Sequence, residues 1–357
     1  MATTGGRNIT NASGQSNSTG KDVSNREDLA NFITMITRDE TPFLASIGKS
    51  KSTNIYHEWQ TDELQAPGNS RVAEGTDFLS AGTSPASGDG AASTIVGPFR
   101  TRLGNYTQIN SKVISVSGSR RALDQAGVAD EYAYQLKKRG TEMRRDMEFD
   151  LINTYNKQTS TGARKTGGYQ SFINSNDTCV FKGAFTQPAT PNTGVTSVTV
   201  AAGAAKAALA LTDIDSVMQK IYEAGGKATR VMVSPKLRRD FSDLLISDTG
   251  VQRNIDDSGK LRQSVDVYMS DFGDLMVVPN YIMGLSSTTT DATTTQFNAK
   301  DSCALVYDPM WFAMATFRPM QEVEVGQKGD STVGMFVEEW SLEVKNPKGC
   351  GAIYGLT

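Results

Sequence analysis

The chain reads as an α+β protein of 357 residues from which a long hairpin projects. Three observations carry that reading. Two strand-like runs, Asn54–Gln60 and Arg100–Ser117, flank a Gly-rich polar tract with too few apolar side chains for a core. One helix-period stripe runs from Val128 to Tyr155. A helix–strand–helix–hairpin series then fills residues 212–284, and strands dominate the remainder of the chain. A chain that folds for its own sake rarely projects such an arm; one that grips neighbours does.

Residues 1–22 are mostly Gly, Ser, Thr and Asn, with almost nothing to bury, so order there requires a neighbour. Ser24 and Glu27 form a capping box, and Leu29, Phe32, Ile33 and Ile36 follow on one helical face. Thr41-Pro42 offers a second start, with Pro at the first helical position, and Gly48 stops it. The apolar face of this arm must dock on something. Asn54–Trp59 reads as a strand. From Asp62 to Gly97 only Val72, Phe78 and Leu79 offer apolar anchors. Phe99–Ser117 reads as one returning strand, with Ile109, Val113, Ile114 and Val116 as its apolar positions. A two-stranded hairpin with so little core is marginal alone, which points to contacts from neighbouring subunits.

The longest helix is expected over Val128–Asn156. Its stripe is Val128, Tyr132, Leu136, Met143, Met147, Leu151 and Tyr155. Gly140 lies on the stripe and costs about 1 kcal/mol against Ala unless something packs closely there. Asp130 and Glu131 sit at the N-terminal end, where the helix dipole favours them. The opposite face sets Lys137, Lys138, Arg139, Arg144 and Arg145 against Glu142, Asp146, Glu148 and Asp150. These charges nearly balance, so a solvated or inter-subunit salt-bridge face outweighs a DNA-binding one.

Residues 157–211 are loop-rich, with strand candidates at Cys179–Phe181 and Val195–Val200. Thr212 and Asp215 open a helix that stops at Gly225-Gly226, with Ile214, Val217, Met218 and Ile221 inward. Arg230–Val233 is a short buried strand. Ser234-Pro235 caps a helix with Leu237, Phe241, Leu244 and Leu245 inward. A turn at Asp256–Gly259 precedes strands at Val265–Tyr268 and Leu275–Val278, and residues 212–284 form a compact α/β lobe. After a polar loop come strands at Ser302–Tyr307, Trp311–Phe317, Glu322–Val325 and Gly334–Lys345. In the last of these Trp340, Leu342 and Val344 alternate with Glu339, Glu343 and Lys345, the mark of a half-buried strand.

Composition excludes several classes. A formal net charge of -3 gives no basic field to hold nucleic acid strongly. No apolar run approaches the ~20 residues of a membrane span, and the first residues lack the apolar segment of a signal peptide. Cys179, Cys303 and Cys350 are widely spaced and odd in number, which suits a reducing compartment and no disulfide framework. The single histidine, His57, has no nucleophile partner in sequence. Metal-ligand spacings and a phosphate loop are missing. Asp271-Phe272-Gly273 matches a kinase triplet by letters alone and reads as a turn between strands. No catalytic, cofactor or metal residue is assigned.

Several runs together carry a resemblance. They are TPFLASIG, HEWQTDEL, RLGNYTQI, the helical AYQLKKRGTEMRRDMEFDL, the pair around SDFGDLMVVPN, and the ending FRP, GDS and EEWSLEV. From about Ser24 onward the chain resembles the major capsid proteins of tailed bacteriophages, in the SU-ten-like major head protein branch. The resemblance implies the Hong Kong phage-type capsid fold: N-terminal arm (1–50), extended E-loop hairpin and its base (51–117), peripheral domain with long spine helix (118–211), axial α/β domain (212–284) and peripheral closing strands (285–357). It implies a shell of hexamers and pentamers, icosahedral or prolate, that encloses double-stranded DNA without sequence-specific binding. On this reading assembly contacts fall to Phe32, Phe43, Trp59, Arg71, Phe78, Arg100, Arg102, Gly140, Arg144 and Arg145. The chain lacks a long helical N-terminal extension, so a separate scaffolding protein or a cleaved precursor is expected, with portal and decoration or cement proteins as further partners. No motif marks the Lys–Asn cross-link of some relatives. The expected place is the virion, after assembly in the host cytoplasm. Competing readings are an encapsulin-like nanocompartment shell, a tail or fibre component and, weakest, a hydrolase.

Overall fold

The computed structural model describes residues 35–64, 74, 100–123, 127–152, 156–159, 163–173, 178–182, 185–186, 199–200, 206–248, 266–284, 303–325 and 329–356. In chain order its elements are α1 (Pro42–Ser46), β1 (Gly48–Lys51), β2 (Tyr56–Thr61), β3 (Thr101–Tyr106), β4 (Gln108–Ser117), α2 (Gly118–Ala122), α3 (Glu131–Ile152) and α4 (Tyr169–Ile173). Then come β5 (Val180–Phe181), β6 (Phe185–Thr186), β7 (Thr199–Val200), α5 (Leu211–Glu223), β8 (Arg230–Val233), α6 (Pro235–Asp248), β9 (Val267–Ser270) and β10 (Gly273–Pro279). The chain closes through β11 (Cys303–Tyr307), β12 (Phe312–Val325), β13 (Ser331–Val344) and β14 (Gly351–Tyr354), with three short 3-10 turns between.

Two sheets organise the molecule. The larger has the order β5-β14-β11-β8-β10-β9. Every residue of β11 and β14 is buried, and both faces of this sheet are covered. Strand alternation sends Val231, Val233, Ala304, Val306 and Ile353 to one side, against Ile214, Val217, Met218 and Ile221 of α5 and Leu237 and Phe241 of α6. It sends Met232, Leu305, Ala352 and Tyr354 to the other side, into a core with Phe43, Tyr169, Phe172 and Trp340. The lobe expected over residues 212–284 is therefore not a self-contained sheet. β8 is apolar on both faces and needs a ladder partner on each edge; β10 supplies one and β11, from beyond residue 284, the other. Residues 271–272 form the expected tight turn, and Gly273, at φ +142, takes a backbone conformation L side chains rarely adopt.

The smaller sheet has the order β1-β12-β13-β4. β12 joins the two runs expected as Trp311–Phe317 and Glu322–Val325 into one strand, with register shifts against β13 between Thr316 and Gln321. Phe99–Ser117 is not one strand. It changes sheets at Thr107: β3 pairs with β2 and β4 pairs with β13. Thr107 donates its backbone N–H to Ile55 and its hydroxyl to Glu339, so neither ladder is left to run through it.

Helix α3 lies across the smaller sheet. It is shorter than the expected Val128–Asn156, because Asp130 caps its first turn by accepting from Tyr132 N–H at 3.0 Å. Residues 153–155 lie outside the described residues. Only the C-terminal half of the stripe is buried, at Met143, Met147 and Leu151, joined by Ile152. Glu148 does not share the expected solvated face. It is fully buried, because it lies four residues before Ile152 and so widens the inward face. The arm docks on its own chain: Phe43 of α1 is fully buried among Tyr169, Tyr307 and Phe312, and β1 adds in parallel to β12. The helix expected after Ser24 lies outside the described residues.

Candidate assembly interface

The hairpin legs β2 and β3 pair antiparallel from Tyr56↔Tyr106 to Thr61↔Thr101. Their root is fixed by buried polar groups. The Asn105 amide donates to Gly167 O (3.1 Å) and Leu342 O (2.8 Å) and accepts from Gly167 N–H (2.8 Å). Lys157 donates to Gly104 O at 2.8 Å, and its ammonium lies 5.6 Å from the centre of the Tyr56 ring. A Cβ at Gly104 would stand 2.7 Å from that ring, so only glycine lets Tyr56 lie across the strand. His57 reaches Glu343 at 3.5 Å, and this hydrogen bond, ahead of other causes, lowers the Glu343 pKa. Glu339, expected to face outward, is 2% exposed. It accepts from Arg164 (2.6 Å), Arg318 (2.8 Å) and Thr107 (2.7 Å), and these three donors draw the carboxylate inward. The far ends of the legs are exposed, where Arg100 meets Asp62 at 3.3 Å and Arg102 meets Glu58 at 3.9 Å.

Among the described residues, the smaller sheet has α3 on one face and an open stretch on the other. The row Lys112–Phe336–Glu322 faces α3. Lys112 pairs with Asp146 at 2.5 Å, and Glu322 accepts from the Tyr132 hydroxyl at 2.6 Å. Phe336 lies 4.0 Å from the position a Cβ would take at Gly140. Residues one step along each strand point the other way. The row Val113–Met335–Val323 is apolar throughout, and it is flanked by the rows Ser115–Val333–Val325 and Ser111–Val337–Gln321. Val113 is 57% exposed, Val323 43% and Val325 41%; Ile109, on the same face of β4, is 50% exposed. The free face of an antiparallel sheet ordinarily carries polar side chains.

A buried node joins three distant segments behind this surface. The Glu148 carboxylate accepts from Phe43 N–H (2.9 Å), Leu44 N–H (2.6 Å) and the Asn280 amide (2.7 Å). Burial raises its pKa to about 7, against the lowering effect of those three bonds. Burial likewise raises Asp150 to about 6, against a bond from Gln108. Arg144 and Lys49 partly offset the upward effect of burial on Glu338.

The residues singled out in sequence scatter over this framework. Phe43 and Trp59 sit in the chain's own core, Trp59 against Phe172 at 6.0 Å. Arg100 and Arg102 lie on the exposed legs, and Arg144 is exposed on α3 beside half-buried Arg145. Gly140 is half-buried. Phe32, Arg71 and Phe78 lie outside the described residues. Sequence reading missed Asn105, Glu148 and Glu339, and it missed the open face. The period-2 pattern of Val323 and Val325 was a signal for that face, but no sequence pattern says whether the chain itself covers an apolar strand face.

The fold has known counterparts. The chain is 27% identical over 259 residues to the major capsid protein of Escherichia phage Phieco32, a stretch spanning 65% of this chain and 70% of that one. The solved structure of Mycobacterium phage Adephagia superposes with a TM-score of 0.56 at 9% identity, covering 92% of this chain and 94% of its own. The asymmetric unit of the bacteriophage PhiM1 mature capsid gives 0.54 at 11% identity, covering 94% and 92%. These likenesses establish the fold expected from sequence. The family of SU10 major capsid proteins matches residues 8–357, so the chain belongs to that family, whose members are structural proteins of phage capsids and not enzymes.

Proposed function

We propose that the chain forms hexamers and pentamers of a closed icosahedral or prolate shell around packaged double-stranded DNA. In this reading the legs β2 and β3 and the open face of the smaller sheet make the contacts between copies. A capsid protein associates with itself and resides in the virion. The observation that carries the finer reading is the open apolar face of β4, β13 and β12. Fully burying a valine is worth about 1.5–3 kcal/mol, so covering Val113, Val323 and Val325, each about half exposed, contributes roughly 1 kcal/mol apiece. Small contacts repeated over many copies close a shell. A net charge of -3 leaves the wall without strong affinity for DNA, which suits packaging and release. A separate scaffolding protein, a portal and a decoration protein complete the expected partners, with assembly in the host cytoplasm.

Val323→Lys tests the reading. The side chain is already exposed, so the unassembled chain keeps its melting temperature within a few degrees. Electron microscopy and sedimentation of chain co-expressed with its scaffold are expected to show closed, angular, DNA-competent shells for the unaltered chain and few or none for the variant. Normal shells from Val323→Lys would remove the open face from the interface. Particles free of nucleic acid under packaging conditions would favour a nanocompartment instead.

A further inference from the structure

We propose that α1 and β1 form a detachable root of the N-terminal arm whose docking is proton-linked through Glu148: a neutral Glu148 holds the root in place, and ionisation frees it. The inference concerns the single chain. It goes beyond the shell reading and does not rest on it.

The root is an edge piece with few anchors. Residues 35–40, which lead into it, are exposed. α1 has five residues, too few for a stable helix alone, and Thr41 at its N-cap gives it no side-chain bond. β1 has four residues, three of them exposed, and adds in parallel to the edge of β12. Phe43 in the aromatic core, the ladder to β12 and a carboxylate from α3 hold the root in place. Short elements at an edge belong to the low-stability end of a fold and open without global unfolding.

Glu148 does for α1 what Thr41 does not. The first turn of a helix leaves N–H groups without partners. Phe43 N–H donates to Glu148 Oε1 (2.9 Å) and Leu44 N–H to Oε2 (2.6 Å), while the Asn280 amide also donates to Oε1 (2.7 Å). Glu148 is 0% exposed, and no ion pair reaches it among the described residues. α1 brings no titratable side chain to it, and the turn after β10 brings neutral Asn280. β11 brings Tyr307 and β8 brings Arg230, which acts on Tyr307 and does not offset the burial of Glu148. Arg144 and Arg145, one turn earlier on α3, do not offset it either.

Burial opposes the charge and the three donors favour it. Burial wins, and the pKa rises to about 7. A proton on Oε2 leaves both bonds to Oε1 in place, so only the bond from Leu44 is affected. Release of α1 removes two donors and the chain that covers the carboxyl, which returns to water and to its ordinary 4.5. The docked root therefore binds the proton more tightly than the released one. Docking is strongest below pH ~4.5 and weakens as pH rises through about 7. With these two values the root opens about 40-fold more often at pH 7 than at pH 5.

Hydrogen exchange of the unassembled chain, corrected for the intrinsic pH dependence of amide exchange, tests this. The bonded amides of Phe43, Leu44 and Ile47 are expected to exchange at least roughly tenfold faster than those of β11, as release short of global unfolding requires. Their opening equilibrium should rise about 40-fold from pH 5 to pH 7. In Glu148→Gln the root should open more often at pH 5, because one donor loses its acceptor, and the rise should shrink to less than about threefold. Glu338→Gln removes another buried carboxyl and should keep the rise. Root amides that exchange together with β11 would overturn the inference. So would a rise that is missing from the unaltered chain, survives Glu148→Gln or disappears in Glu338→Gln. The test needs no particles, so its failure leaves the shell reading standing, and failure of the shell reading leaves this inference standing.

Discussion

Glu148→Gln isolates the energetic consequence of the buried node. The Glu148 pKa is raised from 4.5 to about 7 in the fold, with burial as the main cause. The folded state therefore binds the proton more tightly than the unfolded chain. The resulting stability is fully present below pH ~4.5 and is lost as pH rises through about 7. Moving the carboxyl from 4.5 to about 7 is worth about 3 kcal/mol. Glutamine has nearly the same shape and does not titrate, but its NH2 cannot accept, so it loses at least one of the three bonds that the two carboxylate oxygens accept. At pH 5 the variant should be the less stable by about 1–3 kcal/mol, the cost of the buried N–H left unpaired. At pH 8 the unaltered chain holds a buried charge, so between pH 5 and pH 8 the difference should move by about 3 kcal/mol in favour of the variant. Asp150 also titrates with a raised pKa, but it is present in both proteins and cancels in the difference. Urea unfolding of the unassembled chain from pH 5 to pH 8 measures the quantity directly. A difference that does not change with pH would contradict the assignment of burial as the dominant effect. A variant that loses stability as pH rises would show that the bonds from Phe43, Leu44 and Asn280 outweigh burial.

Two further outcomes rest on the geometry. Gly140→Ala should stabilise the unassembled chain by about 1 kcal/mol, because the new methyl meets nothing closer than Phe336 at 4.0 Å. If Gly140 instead lets the helix bend between shell environments, the same variant will assemble poorly or lose shell angularity; normal shells would exclude that role. Glu339→Gln should destabilise by about 2 kcal/mol in thermal or urea unfolding, below the roughly 3–5 kcal/mol of a fully buried broken pair because Arg318 is half exposed and regains water. An unchanged midpoint would mean that Arg164 and Thr107 find other acceptors.

Much of the fold was legible because its signals are local. The Thr41-Pro42 start, the Met143–Met147–Leu151 stripe and the inward set of α5 depend on side-chain spacing within one element. The same spacing located Arg230–Val233 and the turn at Asp271-Phe272-Gly273. The pairing of β2 with β3 was legible too, since two strand-like runs flanked a tract without a core. The break at Thr107 was not, because it depends on Glu339, 232 residues away. Glu148 and Glu339 were read as surface charges for the same reason. A carboxylate is drawn inward by donors that lie elsewhere in the chain, here the backbone of α1 for Glu148 and two arginines for Glu339.

Residue order alone was enough to set the class of the chain, its long helix and the two strand-like runs that pair as β2 and β3. These depend on periodicity and composition, which are properties of neighbouring residues. Long-range packing settled which strands share a sheet, and so that residues beyond 284 complete the lobe begun at 212. It also settled that Phe43 and Trp59 belong to the chain's own core, while Val113, Val323 and Val325 face outward. An apolar side chain carries the same drive to leave water wherever it stands. Whether its own chain or another copy satisfies that drive depends on what the fold brings opposite it.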